Sequence, residues 1–344
     1  MEYKEAQDVV VKAGVELVKS GLIARTWGNV SCRIDEETFV ITPSGRDYLS
    51  LTSDDIVEVK IKDLSYKGSI KPSSEKGIHA EVYRQFPKMN FVIHTHQENA
   101  SAVSAIGLDG VPLPNRGSIV SESTFSGKIL YAKYALPGTK TLRKNVAETL
   151  KKTKSNAVIL KHHGALCFGK DYASTFETAH DLEDICNDFI TGKDKLTPTK
   201  QVNNPPVLTQ LQARKQAVLK EKGGYVLFNT DPDVIRYSSQ TKPLKPYLDD
   251  FAQIVGLKVK IIESKNHSVS KALRHSSAVF IKDAGALCWG KTEKDAEAVS
   301  MILRKNCKTY FTSSLFEKPR PIQSLECALM RLVYLKKYSK LSEK

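Results

Sequence analysis

His94-Thr95-His96 closes the short apolar run Phe91-Val92-Ile93-His94. In an extended chain, residues two apart point to the same side. Two imidazoles can then reach one cation from one direction. Neutral imidazole is a common zinc ligand, and three histidines with an open position make a catalytic zinc site. His163, at a strand-to-turn junction just before Gly164, is the candidate third ligand. The competing reading is a set of core histidines satisfied by hydrogen bonds. The addition of His163 beside a glycine turn favours metal.

Ser73-Ser74-Glu75 opens a helical pattern. Two hydroxyls and free backbone N–H groups at a helix start suit an anion such as phosphate, although plain capping explains the same residues. His79 lies one turn after Glu75 on the same helix face and reads as a packed or supporting histidine rather than a ligand. Thr26-Trp27-Gly28-Asn29-Val30-Ser31 and Thr42-Pro43-Ser44-Gly45 are polar turns beside strands. Each offers backbone amides and small hydroxyls near which an anion can sit.

The elements that must position these residues alternate along the chain. Residues 5–19 repeat apolar positions at helical spacing, and Gly21 ends the run. Strand-like runs follow at 30–34, 38–42 and 56–61. A helix is expected from Glu75 to Gln85, with Ser73 or Ser74 as its cap and Pro87 beyond its end. A strand at 91–94 leads to a helix through Val103. A helix at 139–152, a strand at 157–160, a turn at Gly164, a strand to Phe168 and a helix over 172–190 complete the pattern. Short strands mixed with helices place the fold in the α/β or α+β class.

Residues 191–208 are rich in Pro, Thr, Asn and Lys, the composition of a linker. The expected organisation is a domain at 1–195, a linker at 196–208 and a second domain at 209–344. The second domain holds an internal repeat. Ala157-Val-Ile-Leu-Lys-His-His-Gly-Ala-Leu-Cys-Phe-Gly-Lys170 matches Ala278-Val-Phe-Ile-Lys-Asp-Ala-Gly-Ala-Leu-Cys-Trp-Gly-Lys291 at nine of fourteen positions. His162-His163 of the first copy become Asp283-Ala284 in the second. A weaker echo pairs Ser104-Ala105-Ile106-Gly107 with Gln253-Ile254-Val255-Gly256, and in that register nothing answers to His94 or His96.

Composition narrows the classes. The 344 residues suit one large domain or two of about 150 residues each. The net charge of +14 comes from scattered lysines with no Arg-rich block and no basic-aromatic ladder, which argues against nucleic acid. No apolar stretch approaches the ~18 residues of a membrane span. The charged start, Met1-Glu2-Tyr3-Lys4-Glu5, lacks the apolar core of a signal peptide. Cys32, Cys167, Cys186, Cys288, Cys307 and Cys327 form no Cys-x-x-Cys pair, and most sit in apolar runs. They read as buried free thiols in a reducing, cytoplasmic compartment.

Taken in order, the motifs are Thr26-x-Gly28-Asn29-Val-Ser31, Ile41-Thr42-Pro43-Ser44-Gly45, Leu51-Thr52-x-x-Asp55-Ile56-Val57, Pro72-Ser73-Ser74-Glu75, His94-Thr95-His96 and His163-Gly164. This series, over about residues 5–190, resembles the class II aldolase/adducin family, whose enzymes include fuculose-phosphate and rhamnulose-phosphate aldolases and ribulose-phosphate 4-epimerase. The resemblance implies an α/β/α sandwich around a mainly antiparallel sheet. It implies that His94, His96 and His163 bind a divalent ion, usually Zn2+, with Mn2+ or Co2+ also suited to the donors. Glu75 becomes the general acid/base, and Asn29, Ser44, Gly45, Ser73 and Ser74 hold the substrate phosphate.

The implied reaction is cleavage or formation of a C–C bond in a ketose phosphate through a metal-stabilised enediolate, giving dihydroxyacetone phosphate and an aldehyde. Epimerase and dehydratase chemistry use the same site, and the adducin branch keeps the fold as a binding module without catalysis. The partners implied are a small phosphorylated sugar and further copies of the chain, with Tyr131 and Tyr134 as candidates to assist a neighbouring site. Trp27 departs from the small residue usual in the family. The second domain, absent from minimal aldolases, reads as a degenerate partial copy without metal ligands. Longer family members resemble the chain in Pro246-Tyr247-Leu248-Asp249-Asp250-Phe251-Ala252-Gln253.

Overall fold

The computed structural model describes residues 1–23, 27–113, 124–193, 205–263 and 269–338. They divide into two compact units, one within Met1–Lys193 and one within Asp194–Ser339.

The first unit runs α1 (Tyr3–Lys19), β1 (Asn29–Arg33), β2 (Thr38–Ile41), β3 (Val57–Lys60), α2 (Lys76–Gln85), β4 (Phe91–Thr95), α3 (Glu98–Ser104), β5 (Gly110–Pro112), β6 (Lys128–Ala132), α4 (Lys140–Leu150), β7 (Ala157–Leu160), β8 (Gly164–Gly169) and α5 (Tyr172–Thr191). The eight strands form one sheet in the order β3-β2-β1-β4-β8-β7-β6-β5. Every neighbouring pair is antiparallel except β6 and β7.

Strand alternation sorts the side chains between two helical layers. Val92, Leu166 and Phe168 share a buried cluster with Ile78 and Val82 of α2 and Leu142 and Val146 of α4. Phe91, one residue from Val92, points the other way and meets Tyr172 at the start of α5. Lys12 of α1 lies over the same Tyr172 ring. The first unit is therefore an α/β/α sandwich over a mainly antiparallel sheet, and His94 sits on the α2 side of β4.

The second unit runs α6 (Pro205–Lys222), β9 (Tyr225–Asn229), α7 (Pro232–Ser238), β10 (Ile261–Ile262), α8 (Val269–Ala272), β11 (Ala278–Ile281), β12 (Gly285–Gly290), α9 (Glu293–Phe316) and α10 (Ser324–Val333). Its four strands are ordered β10-β11-β12-β9, parallel for the first pair and antiparallel for the rest. The same order and directions occur in β6-β7-β8-β4. The turn between β7 and β8 has His162 at φ 59°, and that between β11 and β12 has Asp283 at φ 57°. Helices α5 and α9 both open with capping boxes, Asp171 with Ser174 and Thr292 with Asp295.

The sheet register replaces the weaker echo. Leu166 pairs with His94 and Leu287 with Phe228. Phe228 therefore occupies the place of His94, Thr230 that of His96, and Ser238 that of Ser104, whereas Gln253 lies in a separate π-helical turn, Phe251–Val255. Ladder hydrogen bonds assign partners, and a short likeness in sequence does not.

Of the linker expected at 196–208, residues through 204 lie outside the described ones. Residues 205–208 open α6, where Pro205 and Pro206 take helix-start positions that need no intrahelical N–H bond. Among the described residues, no helix is long and apolar enough to cross a membrane. All six cysteines are buried and free.

Candidate metal centre

β4 carries His94 near its end and His96 just beyond it, and the β7–β8 turn brings in His163. The turn fits because Gly164 lies against β4: a Cβ there would stand 2.1 Å from the Thr95 carbonyl oxygen. The three rings converge through Nε2, with His94 3.0 Å from His96 and 2.9 Å from His163. All three are buried. His94 Nδ1–H donates to the Ala165 carbonyl at 2.9 Å, which leaves its Nε2 lone pair facing the cluster. Glu75 closes the group, with Oε2 3.3 Å from His94 Nε2 and Oε1 3.3 Å from His163 Nε2.

This geometry fits a divalent ion. Tetrahedral zinc with ordinary Zn–N bonds sets its nitrogens about 3.3 Å apart, within a few tenths of the spacing here. The charge state agrees. Burial pushes His94 well below the usual imidazole range, which favours the neutral ring that a metal ligand must be.

The turns expected to hold phosphate are laced together beside this centre. Ser44 N–H donates to the Lys71 carbonyl at 2.9 Å and Ser73 N–H to the Thr42 carbonyl at 3.0 Å, with Pro43 bridging Pro72. Ser44 and Gly45 are half-buried, Ser73 is buried and Ser74 is exposed. Ser73 Oγ accepts from Glu75 N–H. The cap of α2 is Glu75, not Ser73 or Ser74. Its carboxylate makes no capping bond because it faces the histidines. Thr26 lies outside the described residues, and Trp27 is half-buried.

Asn29, also expected at the phosphate, has its amide engaged beside the histidines: Nδ2 donates to Glu75 Oε2 at 3.3 Å and Oδ1 faces His79 Nε2 at 2.5 Å. Tyr131 departs from its expected role. It is buried, with its hydroxyl donating to the Val103 carbonyl, and does not reach outward to a neighbour. Tyr134 is half-buried and packs edge-on against His162. Tyr48 was not singled out in the sequence; its hydroxyl donates to the Gly28 carbonyl and fixes the turn before Asn29.

Comparison with known proteins agrees with the fold. Residues 8–190 match the family described as class II aldolase and adducin N-terminal domain. The chain belongs to this family. A solved L-fuculose 1-phosphate aldolase is 27% identical, with a TM-score of 0.51, covering 62% of this chain and 96% of its own. YgbL from Escherichia coli, a putative aldolase/epimerase/decarboxylase, has 20% identity and a TM-score of 0.51, covering 57% and 93%, and shares the fold. Class II aldolases depend on a divalent metal, and His94, His96 and His163 form the one group among the described residues able to hold it.

Proposed function

We propose that the chain is a metal-dependent aldolase that cleaves or forms a C–C bond in a ketose phosphate, with dihydroxyacetone phosphate and an aldehyde as the other partners. The observation that carries this reading is the convergence of three histidine Nε2 atoms with a buried carboxylate. Likeness to an L-fuculose 1-phosphate aldolase supports it. His94, His96 and His163 are the ligands, and Zn2+ is the first choice, with Mn2+ and Co2+ also suited to three imidazoles and a carboxylate. When bound there, a divalent ion would supply Lewis acidity to the oxygens of the substrate.

The protein's own residues do the rest. Ser44, Gly45, Ser73 and Ser74 fix the phosphate end, so that position along the sugar selects which bond breaks. When the C3–C4 bond opens, the C4 hydroxyl gives up its proton as it becomes the aldehyde carbonyl, the bond's electrons stay on the ketone half, and Glu75 returns a proton to that carbon. In the reverse direction Glu75 removes the same proton. The unit works as a homo-oligomer in this reading.

The test is incubation of the zinc-loaded chain with dihydroxyacetone phosphate and a panel of aldehydes. A new ketose phosphate is the expected product, absent with His94→Ala. Interconversion of pentulose phosphates without net condensation would make it an epimerase instead, and loss of water from a sugar acid or sugar phosphate a dehydratase. A chain that binds no divalent ion would reject the enzyme reading and favour a binding module.

A further inference from the structure

Helix α2 and strand β1 are joined by a polar seam that runs from the last turn of the helix to the candidate metal centre. Glu75, His79 and Tyr83 follow each other at four-residue steps on one face of α2, about 6 Å per step. Asn29 and Ser31 stand two apart on the facing side of β1, a step of about 6.8 Å. The two repeats nearly match, so the side chains interleave in the order Tyr83, Ser31, His79, Asn29, Glu75. Tyr83 Oη lies 2.6 Å from Ser31 Oγ, and Ser31 Oγ 2.7 Å from His79 Nδ1. His79 Nε2 lies 2.5 Å from Asn29 Oδ1, and Asn29 Nδ2 3.3 Å from Glu75 Oε2. All five residues are buried, none more than 8% exposed.

Only one direction of donation satisfies every link. An ionised Glu75 accepts only, so the Asn29 NH2 faces it. The Asn29 oxygen then faces His79, whose Nε2 must carry the proton. Nδ1 of that neutral ring is an acceptor, so the Ser31 hydroxyl donates to it. Ser31 in turn accepts from the Tyr83 phenol. Burial keeps the imidazole and the phenol of this scheme in the needed form: it pushes His79 down to about 3 and Tyr83 well above the phenol range. The ring is neutral and the phenol protonated.

We infer that His79 is a positioning residue for Glu75: its Nε2–H fixes the orientation of the Asn29 amide, and that amide holds the Glu75 carboxylate against the three histidines. Without the His79 proton the Asn29 amide keeps only one of its two side-chain anchors, and its hold on the Glu75 carboxylate loosens. This rests on the metal centre described above and adds three residues, His79, Ser31 and Tyr83, that reach the centre only through others.

The test reads metal affinity, independent of turnover. Full-length protein is stripped of metal and titrated with Co2+ alone. The variants are His79→Leu, His79→Asn and His79→Gln, each with Glu75 intact and with Glu75→Ala. Gln places an N–H near the position of Nε2, whereas Asn reaches only the position of Nδ1. The expected result is a Co2+ Kd about tenfold weaker in His79→Leu and His79→Asn, in the range of outer-shell ligand support. His79→Gln should stay within about threefold of wild type. With Glu75→Ala, the His79 substitutions should change Kd by less than about twofold, because the residue they act through is gone. His79→Asn, which keeps a polar group in the seam, decides the case if His79→Leu does not fold. Equal weakening with and without Glu75, or no weakening in either variant, overturns the inference. A wild-type chain that binds no Co2+ removes the metal centre itself, and this role with it.

Discussion

The β6-β7-β8-β4 region and the β10-β11-β12-β9 region share strand order, strand direction and a left-handed residue in the same turn. They differ at the points where chemistry would sit. His94, His96 and His163 in one region correspond to Phe228, Thr230 and Ala284 in the other. Among the described residues, the histidine group is the only one able to hold a metal ion. The backbone needs only the apolar alternation and the close approach at the turn glycine, and both regions keep these. The metal centre is an addition to that scaffold, which a few side chains supply or withhold.

The sharpest way to break the contrast is to give the first region the residue of the second. His163→Ala should eliminate stoichiometric zinc and leave no measurable turnover, while unfolding remains cooperative. Metal analysis by mass spectrometry with a parallel assay checks this. Retained zinc would mean that His163 is not a ligand. Next in size is Glu75→Gln, which should keep the metal and lower kcat by about 10² to 10⁴-fold, the usual range for loss of a general acid/base. An unchanged kcat would remove Glu75 from that role.

The shared backbone predicts shared fragility. A Cβ on Gly164 would stand 2.1 Å from the Thr95 carbonyl oxygen, and one on Gly285 would stand 2.4 Å from that of Asn229. Gly164→Ala and Gly285→Ala should each cost about 1–3 kcal/mol, as overpacking does. Only the first should also weaken metal binding. Urea titration of both variants measures the cost, and a neutral outcome for either would show that its turn relaxes.

The last effect concerns acid. His79 falls from an ordinary 6.5 to about 3 in the folded protein because it is buried. Between those values the unfolded chain binds the extra proton. His79 therefore lets stability rise with pH across this window and lets it fall, by about 1.4 kcal/mol per unit, as pH drops from 6.5 toward 3. His79→Gln removes that contribution. Hydrogen exchange in α2 from pH 6.5 to 4.5 should show a shallower pH slope in the variant, and identical slopes would contradict the burial argument.

Much of the fold was legible because it obeys local rules. The apolar spacing marked α1, α2, α4 and α5 nearly to their ends, and the alternating or continuous apolar runs marked β1, β2, β4, β7 and β8. β5 and β6 went unread. β5 is short, and β6 forms the sheet's one parallel pairing, which depends on a partner far along the chain. The candidate site was legible as residue types in order. Capping of α2 was misassigned to serine because local propensity outweighs nothing once Glu75 is drawn into a buried cluster. Tyr131 was misread because a tyrosine's exposure is not written in its neighbours.

The sequence by itself determined which side chains can hold a cation and that His94 and His96 share one side, since strand periodicity is a local property. It also carried the likeness between the two turns that hold His163 and Ala284. Only the tertiary structure decided that His163 meets His94 at 2.9 Å across 69 positions of sequence. It alone turned the Asn29 amide toward Glu75 through His79. Those outcomes depend on sheet register and on the match between a helix step and a strand step, and neither exists until α2, β1 and β4 have packed.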